Sequence, residues 1–285
     1  MFALLACRPL PPSVAEDSGT SPFDTETDTD PGTDTDPPVI VGPSFTAIGF
    51  NVESDGADPA VVADTVVAEI TGETLWGFAE VENETAADLL VSAAGPSFEY
   101  VIGTTGWSDR LVLAWDNDVF ALLDFEELHD INVGGTARAP VVGRMREREH
   151  GFEFLFVVNH LWRSDEPARH EQAALLNDWG RDQSEPILMV GDYNFDWEVD
   201  GGGHDLGYDN LTADGVFDWV EPDPIVKTQC SGYYDSILDF TFLGGDARSW
   251  GATSEVLRTD HDYCREDPEN YSDHRPVAVT FTVPE

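Results

Sequence analysis

Residues 186–196 read PILMVGDYNFD, and this stretch decides the fold. The apolar run before Gly191 is typical of a buried strand that then opens into a polar segment. Asp192 and Asn194 follow two positions apart, so the alternation of side chains along a strand directs both to the same face. A carboxylate and an amide at the end of a buried strand are suited to binding a metal ion and a phosphate group.

A second polar pair stands just before the last apolar run of the chain. Residues 272–276 read SDHRP, and the strand-like segment VAVTF follows at 277–281. Asp273 and His274 are therefore expected at a strand edge. Each motif alone also has an ordinary structural explanation, because Gly-Asp often forms an Asx turn and Ser-Asp-His can cap a helix.

Polar residues also occur at the end of, or within, four other apolar segments. Asn51 closes the run that begins at Ala47, Glu80 follows Leu75-Trp76-Gly77, and His160 ends the run that begins at Leu155. Asp239 lies inside an apolar strand, where an unpaired charge would be costly. The series is hard to explain as core packing and indicates a site built from strand ends.

Taken together, these segments resemble the endonuclease/exonuclease/phosphatase superfamily of metal-dependent phosphoesterases. They occur in family order and run from about Phe45 to the C-terminus. The resemblance implies an α/β fold, a two-sheet β-sandwich flanked by helices in the four-layer arrangement of the deoxyribonucleases. It does not identify the substrate.

Apolar periodicity predicts the individual elements. Strands are expected at 45–52, 75–80, 98–102, 111–116, 119–125, 139–146, 152–159, 187–191, 216–220, 237–243 and 276–282. Helices are expected at 58–70, 84–94 and 166–179. The first and third are opened by Asp58-Pro59 and Glu166-Pro167, since proline is favoured in the first turn of a helix.

The resemblance implies a bound Mg²⁺ or Mn²⁺, with Ca²⁺ as a further, structural ion. Glu80 is the expected acidic metal ligand, with Asn51 and Asp273 beside it. Carboxylate and amide oxygens suit these hard cations. The resemblance leaves open whether one metal ion or two are bound.

The resemblance also implies catalytic roles. Asp192 is expected to act as the base or to orient the attacking water, and Asn194 to place that water or the phosphate. His274 and His160 are expected to donate to non-bridging phosphate oxygens from two sides. Asp239 is expected to orient His274 and keep it protonated. Asp235, four residues earlier, is a rival for that last role.

The chain divides into three parts by composition. Residues 1–7, MFALLAC, resemble the end of a bacterial lipoprotein signal, truncated because a basic region and a longer apolar core are missing. Residues 8–44 form an acidic Asp/Thr/Pro linker that is too polar to order itself. Residues 45–285 form one domain. A lipid anchor on Cys7 and an exported location are expected, the alternative being a chance resemblance.

Cys230 and Cys264 are the other two cysteines. In an exported protein such a pair predicts a disulfide, the alternative being two free thiols. No Cys-x-x-Cys motif accompanies them, which argues against a metal site.

Charge bears on the substrate. There are 56 acidic and 14 basic residues, and about −35 of the net charge of −42 falls on the domain. A polyanion would be repelled unless divalent cations and local arginines compensate, and salt adaptation would give the same composition. Glu82 stands where pancreatic-type deoxyribonucleases carry a DNA-contacting arginine.

The favoured interpretation is an extracellular or surface-tethered nuclease acting on DNA or RNA, as a monomer. The alternative is a phosphoesterase for a phospholipid headgroup or a small phosphate ester. A third interpretation is an inactive binding module, which would have no need of all eight site residues.

Overall fold

A computed structural model describes residues 42–54, 56–260, 263–264 and 271–284. The expected signal at 1–7 and the linker up to residue 41 lie outside these described residues. Within them, no helix combines the length and apolar character that crossing a membrane requires.

The described chain forms twelve strands and four α-helices. The strands are β1 Ser44–Asn51, β2 Leu75–Val81, β3 Phe98–Ile102, β4 Arg110–Asp116, β5 Phe120–Glu127, β6 Val141–Glu147, β7 Glu153–His160, β8 Ile187–Glu198, β9 Phe217–Trp219, β10 Ser236–Gly244, β11 Gly251–Val256 and β12 Val277–Thr282. The helices are α1 Pro59–Thr65, α2 Glu84–Ala94, α3 Glu166–Arg181 and α4 Leu206–Thr212.

The strands build two six-stranded sheets. One has the order β11-β12-β1-β2-β4-β3 and the other the order β5-β6-β7-β8-β10-β9. Most neighbours are antiparallel, but β1 with β2 and β7 with β8 are parallel pairs at the middle of each sheet. Because a parallel pair needs a crossover, α1 and α3 lie on the outer faces.

Three apolar clusters give the molecule its layers. The central cluster fills the space between the sheets and includes Phe154, Phe156 and Val190. A second lies between α1, α2 and the first sheet, and a third between α3, α4 and the second sheet. Because the inner strands are covered on both faces, their sequences read as continuous apolar runs. The predicted two-sheet sandwich flanked by helices is confirmed.

The elements differ from the sequence prediction in four places. The helix predicted at 58–70 is α1 followed by a separate 3₁₀ turn at Val67–Glu69. Strand β8 continues to Glu198, well beyond its apolar run. Both α4 and β11 were missed, because a seven-residue helix and a polar edge strand give weak periodic signals and are stabilised by the elements that they pack against.

Candidate active site

Register places three site residues on neighbouring strands of the second sheet. His160 ends β7 and lies opposite Asp192 in the parallel pairing with β8. Asp192 in turn lies opposite Asp239 in the antiparallel pairing with β10. All three are buried, with at most 3% of their surface exposed. The apolar pattern that fixes strand register therefore also fixes this row of ionisable groups.

Asn51 connects the two sheets at the same edge. Its Nδ2 donates to Glu80 Oε1 at 2.9 Å and to Asp192 Oδ2 at 3.0 Å. Glu80 lies in β2 of the first sheet, whereas Asp192 lies in β8 of the second. One amide thus holds two carboxylates from different layers close together, which requires a compensating cation or a shared proton.

The backbone departs from regular geometry at these positions. Glu80 and Asn194 have φ values of 59° and 54°, a left-handed conformation that few non-glycine residues adopt. The pairing of β2 with β4 shifts register between Phe78 and Val81, so Glu80 is carried on a bulge. Gly191 has φ 141°, and a Cβ there would lie 2.0 Å from the Asn159 carbonyl oxygen. Such local strain persists where surrounding structure enforces it, typically at functional sites.

His274 is held as a cation. Its Nδ1 lies 2.7 Å from Asp239 Oδ2, while Nε2 faces Asp192 Oδ2 at 3.8 Å and Asp273 Oδ1 at 3.7 Å. Burial disfavours the charged ring, but the Asp239 carboxylate outweighs it and raises the pKa of His274 to about 10. Asp239 makes this contact, whereas Asp235 is exposed and does not.

His160 has the opposite character. Its Nε2 lies 3.5 Å from Asp192 Oδ2 and 3.7 Å from Glu80 Oε1. Complete burial and the nearby Arg138 charge lower the pKa of His160 to about 4, so the ring is neutral at pH 7. A neutral imidazole donates through one nitrogen only. The two histidines that the sequence assigned alike therefore differ in charge.

Asp192 lies between the two histidines. Its Oδ1 accepts the backbone N–H of Asn194 at 2.9 Å, and its Oδ2 accepts from Asn51. Burial raises the pKa of Asp192, an effect that the two histidine rings oppose. Asn194 also donates through Nδ2 to the Leu161 carbonyl at 3.3 Å, which fixes its side chain beside Asp192.

Three residues at the site were missed by sequence reasoning. Asp109 Oδ1 lies 3.4 Å from His160 Nδ1, and its Oδ2 pairs with Arg138 at 2.9 Å. Ser54 donates to Glu80 Oε2 from its N–H and its hydroxyl, at 3.1 and 3.2 Å. Glu53 accepts the Asp273 N–H at 2.7 Å.

The missed residues differ in whether the sequence carried a signal for them. Glu53 and Ser54 follow Asn51 by two and three positions, so their proximity to the site could have been inferred. Burial and the Asp273 carboxylate raise the pKa of Glu53 to about 7. Asp109 lies in a loop before β4 with no strand-end motif, and no sequence pattern connects it with His160.

The donor set fits a hard divalent cation. Ligand atoms of Glu80, Asp109 and His160 lie within 4.8 Å of one another. Those of Asp192, Asp239 and His274 are equally close, but a protonated His274 has no lone pair for a metal, so only the carboxylates of that group are ligands. The remaining Asp239 oxygen, Oδ1, is buried and lacks a hydrogen-bond partner within the described part of the chain. Carboxylate oxygens dominate both groups, which favours Mg²⁺ or Mn²⁺ over softer metals.

The three predicted metal ligands are not equally placed. Glu80 belongs to the group with Asp109 and His160. Asn51 donates to Glu80 through its amide nitrogen, and its Oδ1 accepts the Glu53 N–H at 3.0 Å. Asp273 belongs to neither group and contacts His274 instead. Around Glu53, however, Glu80 and Asp273 are both close enough to influence its carboxyl group.

Two arginines near the site are engaged by carboxylates and are not free to bind phosphate. Arg110 pairs with Glu84 at 3.0 Å, and Arg138 pairs with Asp109. Arg163, on the loop after His160, instead lines the cavity next to Asn194 and His274.

Comparison with solved structures identifies the fold. An endonuclease/exonuclease/phosphatase family protein from Bacteroides thetaiotaomicron superposes with a TM-score of 0.65 at 20% identity, over 85% of this chain and 96% of that one. A mannosyl-6-phosphatase from the same species gives 0.63 at 20% identity, over 84% and 100% of the two chains. Zebrafish (D. rerio) TDP2, in complex with a single-stranded DNA product, gives 0.64 at 14% identity, over 84% and 99%.

The chain therefore has the fold of the endonuclease/exonuclease/phosphatase family, and the resemblance expected from the sequence is confirmed at that level. Neither the protein-family models nor the curated protein sequences match the chain. The fold alone does not define a substrate, since the same scaffold carries different chemistries.

Proposed function

We propose that the protein is a metal-dependent phosphoester hydrolase. The observation that carries this proposal is the continuous network in which Asn51 joins Glu80 to Asp192 and in which Asp239 holds a charged His274 facing Asp192. Cation, base and acid positions thus meet within one buried cluster. Phosphoester hydrolysis needs positive charge on the phosphoryl oxygens, a held water and an in-line approach of that water.

Each residue of the cluster has a separate role in the proposed reaction. Glu80 and its neighbouring carboxylates would hold a divalent cation, which would supply positive charge at the phosphate and lower the pKa of a water. Asp192 orients the attacking water and accepts its proton, with Asn194 fixed beside it. His274 donates from Nε2 to a non-bridging oxygen, because its Nδ1 is occupied by Asp239. The neutral ring of His160 adds a second donor.

The direct test is metal removal. Hydrolysis of an activated aryl phosphate ester should vanish in EDTA and return with Mg²⁺ or Mn²⁺, because the carboxylate cluster has no other way to place positive charge on the phosphate. Zn²⁺ is a useful comparison, since an oxygen-dominated site should respond to it less. Full activity in chelator would overturn the proposal.

An extracellular nuclease is the finer proposal that the superfamily resemblance favours. Two proteins of this fold show how the substrate varies, one described as a mannosyl-6-phosphatase and another bound to a DNA product. Against a nuclease stands the charge of about −35 on the domain. Plasmid DNA, RNA, sphingomyelin and sugar phosphates, assayed side by side with Mg²⁺, separate these classes.

Export and a lipid anchor on Cys7 also remain proposals. The structure forms the predicted Cys230–Cys264 disulfide, which is typical of an oxidising compartment and so supports export. Cys7 itself lies outside the described residues. Labelling with a palmitate analogue in a bacterial host, compared with Cys7→Ser, tests the anchor, and size-exclusion chromatography tests the expected monomer.

A further inference from the structure

We propose that the cavity beside the catalytic histidine selects the alcohol part of the substrate, that this alcohol is a hydroxyl-bearing sugar or polyol, and that Asp196 is the residue which selects it. The inference rests on the proposed phosphoesterase function and deepens it. It names a substrate class that carries one phosphate and no polyanionic chain.

Two adjoining cavities carry the inference. The first, of about 290 Å³, opens onto Asn194 and His274. The second, of about 330 Å³, lies beside it. Both are lined by Asp196, Tyr234 and Ser236, so these three residues mark the boundary between them. A group esterified to phosphate at His274 would extend past this boundary, and a hexose fits within the combined space.

Asp196 is suited to recognition rather than to support. It follows the catalytic Asn194 by two positions and has φ 46°, a backbone conformation that is uncommon for a residue with a side chain. The residue is exposed, and its carboxylate has a long hydrogen bond from the Ser236 hydroxyl, at 3.4 Å, within the described structure. A carboxylate accepts from two donors at once, so vicinal hydroxyl groups match its free capacity.

Hydrogen bonds and a disulfide hold the loop opposite Asp196. Gln229 receives the Ser231 N–H through Oε1 and donates through Nε2 to the Tyr234 carbonyl at 3.0 Å. Lys227 donates to the carbonyls of the same two residues, Ser231 and Tyr234. The disulfide at Cys230 anchors the loop further. A loop fixed in this way presents its side chains at little entropic cost to binding.

This loop presents two tyrosines to solvent. Tyr233 and Tyr234 are 95% and 66% exposed, although large aromatic side chains usually find cover. An aromatic face packs against the C–H face of a sugar ring, while amide and hydroxyl groups on the walls pair with its hydroxyls. Asn194, Ser231 and Ser236 supply such groups in the first cavity.

The charges oppose a nucleic-acid chain at this position. Arg163 is the one arginine or lysine among the described lining residues of the two cavities. The second cavity is lined by four carboxylates, Asp196, Glu198, Asp200 and Asp235. A neighbouring phosphate of DNA or RNA would meet this acidic wall, and like charges brought together disfavour binding.

An organic cation is the competing ligand for an acidic, aromatic cavity. Recognition of a quaternary ammonium group uses aromatic rings on several sides of the cation. Here the two tyrosines are consecutive residues of one loop, and the other walls are polar. This arrangement favours a ring that stacks on one side and forms hydrogen bonds on the other.

The experiment compares monophosphate esters that differ in the alcohol. The substrates are glucose 6-phosphate, n-hexyl phosphate and phosphocholine, assayed with Mg²⁺ or Mn²⁺ beside p-nitrophenyl phosphate. For the wild type, kcat/KM for the sugar ester should exceed that for the hexyl ester at least about tenfold, because a site that pairs with hydroxyls discriminates against a ligand without them. The variant Asp196→Asn keeps the shape of the side chain, and asparagine tolerates the left-handed backbone conformation at this position. It should reduce the sugar-to-hexyl ratio about tenfold.

Two further variants make the result decisive. Tyr234→Ala, at an exposed position that folding does not need, should also lower the sugar-to-hexyl ratio. Glu171→Gln removes the same charge from an exposed position on α3 and should leave the ratio at the wild-type value. If Asp196→Asn fails to fold, Tyr234→Ala carries the test alone.

The outcomes separate the two proposals. No hydrolysis of p-nitrophenyl phosphate by the wild type would refute the phosphoesterase function, and this inference with it. Hydrolysis without a sugar preference would overturn the inference alone. So would a preference for phosphocholine, or an equal sugar-to-hexyl ratio in Asp196→Asn and Glu171→Gln.

Discussion

Two buried carboxylates at opposite ends of the second sheet behave in opposite ways. Asp192 at the catalytic edge and Glu147 at the β6–β7 turn are 2% and 3% exposed. Burial raises the pKa of Asp192. At Glu147 burial is outweighed by the backbone N–H groups of His150, Glu149 and Gly151, and the pKa is lowered.

The difference comes from the neighbours of each carboxylate. Glu147 is satisfied by neighbours on its own turn, so its charge stabilises the fold. Asp192 faces side chains from other strands, among them the two histidines and Asn51, and its charge is available for reaction. Equal exposure therefore does not mean an equal role, because the neighbours differ: backbone N–H groups of one turn at Glu147, ionisable side chains of other strands at Asp192.

The largest expected effect is on catalysis. Asp192→Ala and His274→Ala should each lower kcat by about 10²–10⁴-fold, as removal of a base or a charge-stabilising donor does. The melting temperature of Asp192→Ala should stay at the wild-type value or rise, since the change relieves a crowded group of carboxylates, whereas His274→Ala should lower it, because Asp239 then stays buried without its cationic partner. Steady-state kinetics and thermal unfolding measure the two quantities, and a variant that merely unfolds would assign that residue a structural role.

The disulfide lies at the catalytic end and connects stability with the site. It closes a separation of 34 residues that contains β10, and Cys230 donates its N–H to the Asp273 carbonyl. The double variant Cys230→Ser/Cys264→Ser should lose about 3–4 kcal/mol of unfolding free energy by loop entropy. Urea unfolding measures this, and mass spectrometry of the unreduced protein should show two hydrogens missing. Free thiols in exported protein would contradict the pairing.

The variant Glu147→Gln tests the carboxylate at the end of the second sheet that lies opposite the site. We expect a loss of about 1–3 kcal/mol, because an amide replaces a carboxylate that accepts several N–H groups, and kcat should not change. The folded-state pKa of Glu147 is lowered, so its contribution is present above the unfolded pKa and is lost as pH falls through the folded value. Unfolding free energy measured between pH 7 and pH 3 should fall less steeply in the variant. A drop in kcat would show that the two ends are coupled.

The sequence was most informative where function coincides with strand ends. Asp192 and Asn194 follow an apolar run and His274 precedes one. Strand register then brings Asp192 together with residues of β7 and β10. Asp109 and Asp196 could not be assigned in this way, since their positions depend on loop and bulge geometry. The opposite charge states of His160 and His274 depend on burial and on neighbouring charges, which a linear pattern does not contain.

The smallest expected effect is the salt dependence of activity, which compares the charge of the whole surface with the charges at the site. If DNA is cleaved, the charge of about −35 on the domain repels it at long range. Attraction acts only near the site, where the charged His274, Arg163 and a bound metal would face the phosphate. Screening by NaCl weakens the long-range term first, so kcat/KM on duplex DNA at fixed Mg²⁺ should hold or rise by up to about threefold at moderate salt. Sphingomyelin, whose headgroup is zwitterionic, should show little dependence when titrated in parallel. Basic nucleases lose affinity as salt rises because counterions are released. A steep fall on DNA from low salt upward would therefore mean that attraction at the catalytic end outweighs the acidic surface, and it would favour a nucleic-acid substrate over the sugar phosphate proposed for the cavity.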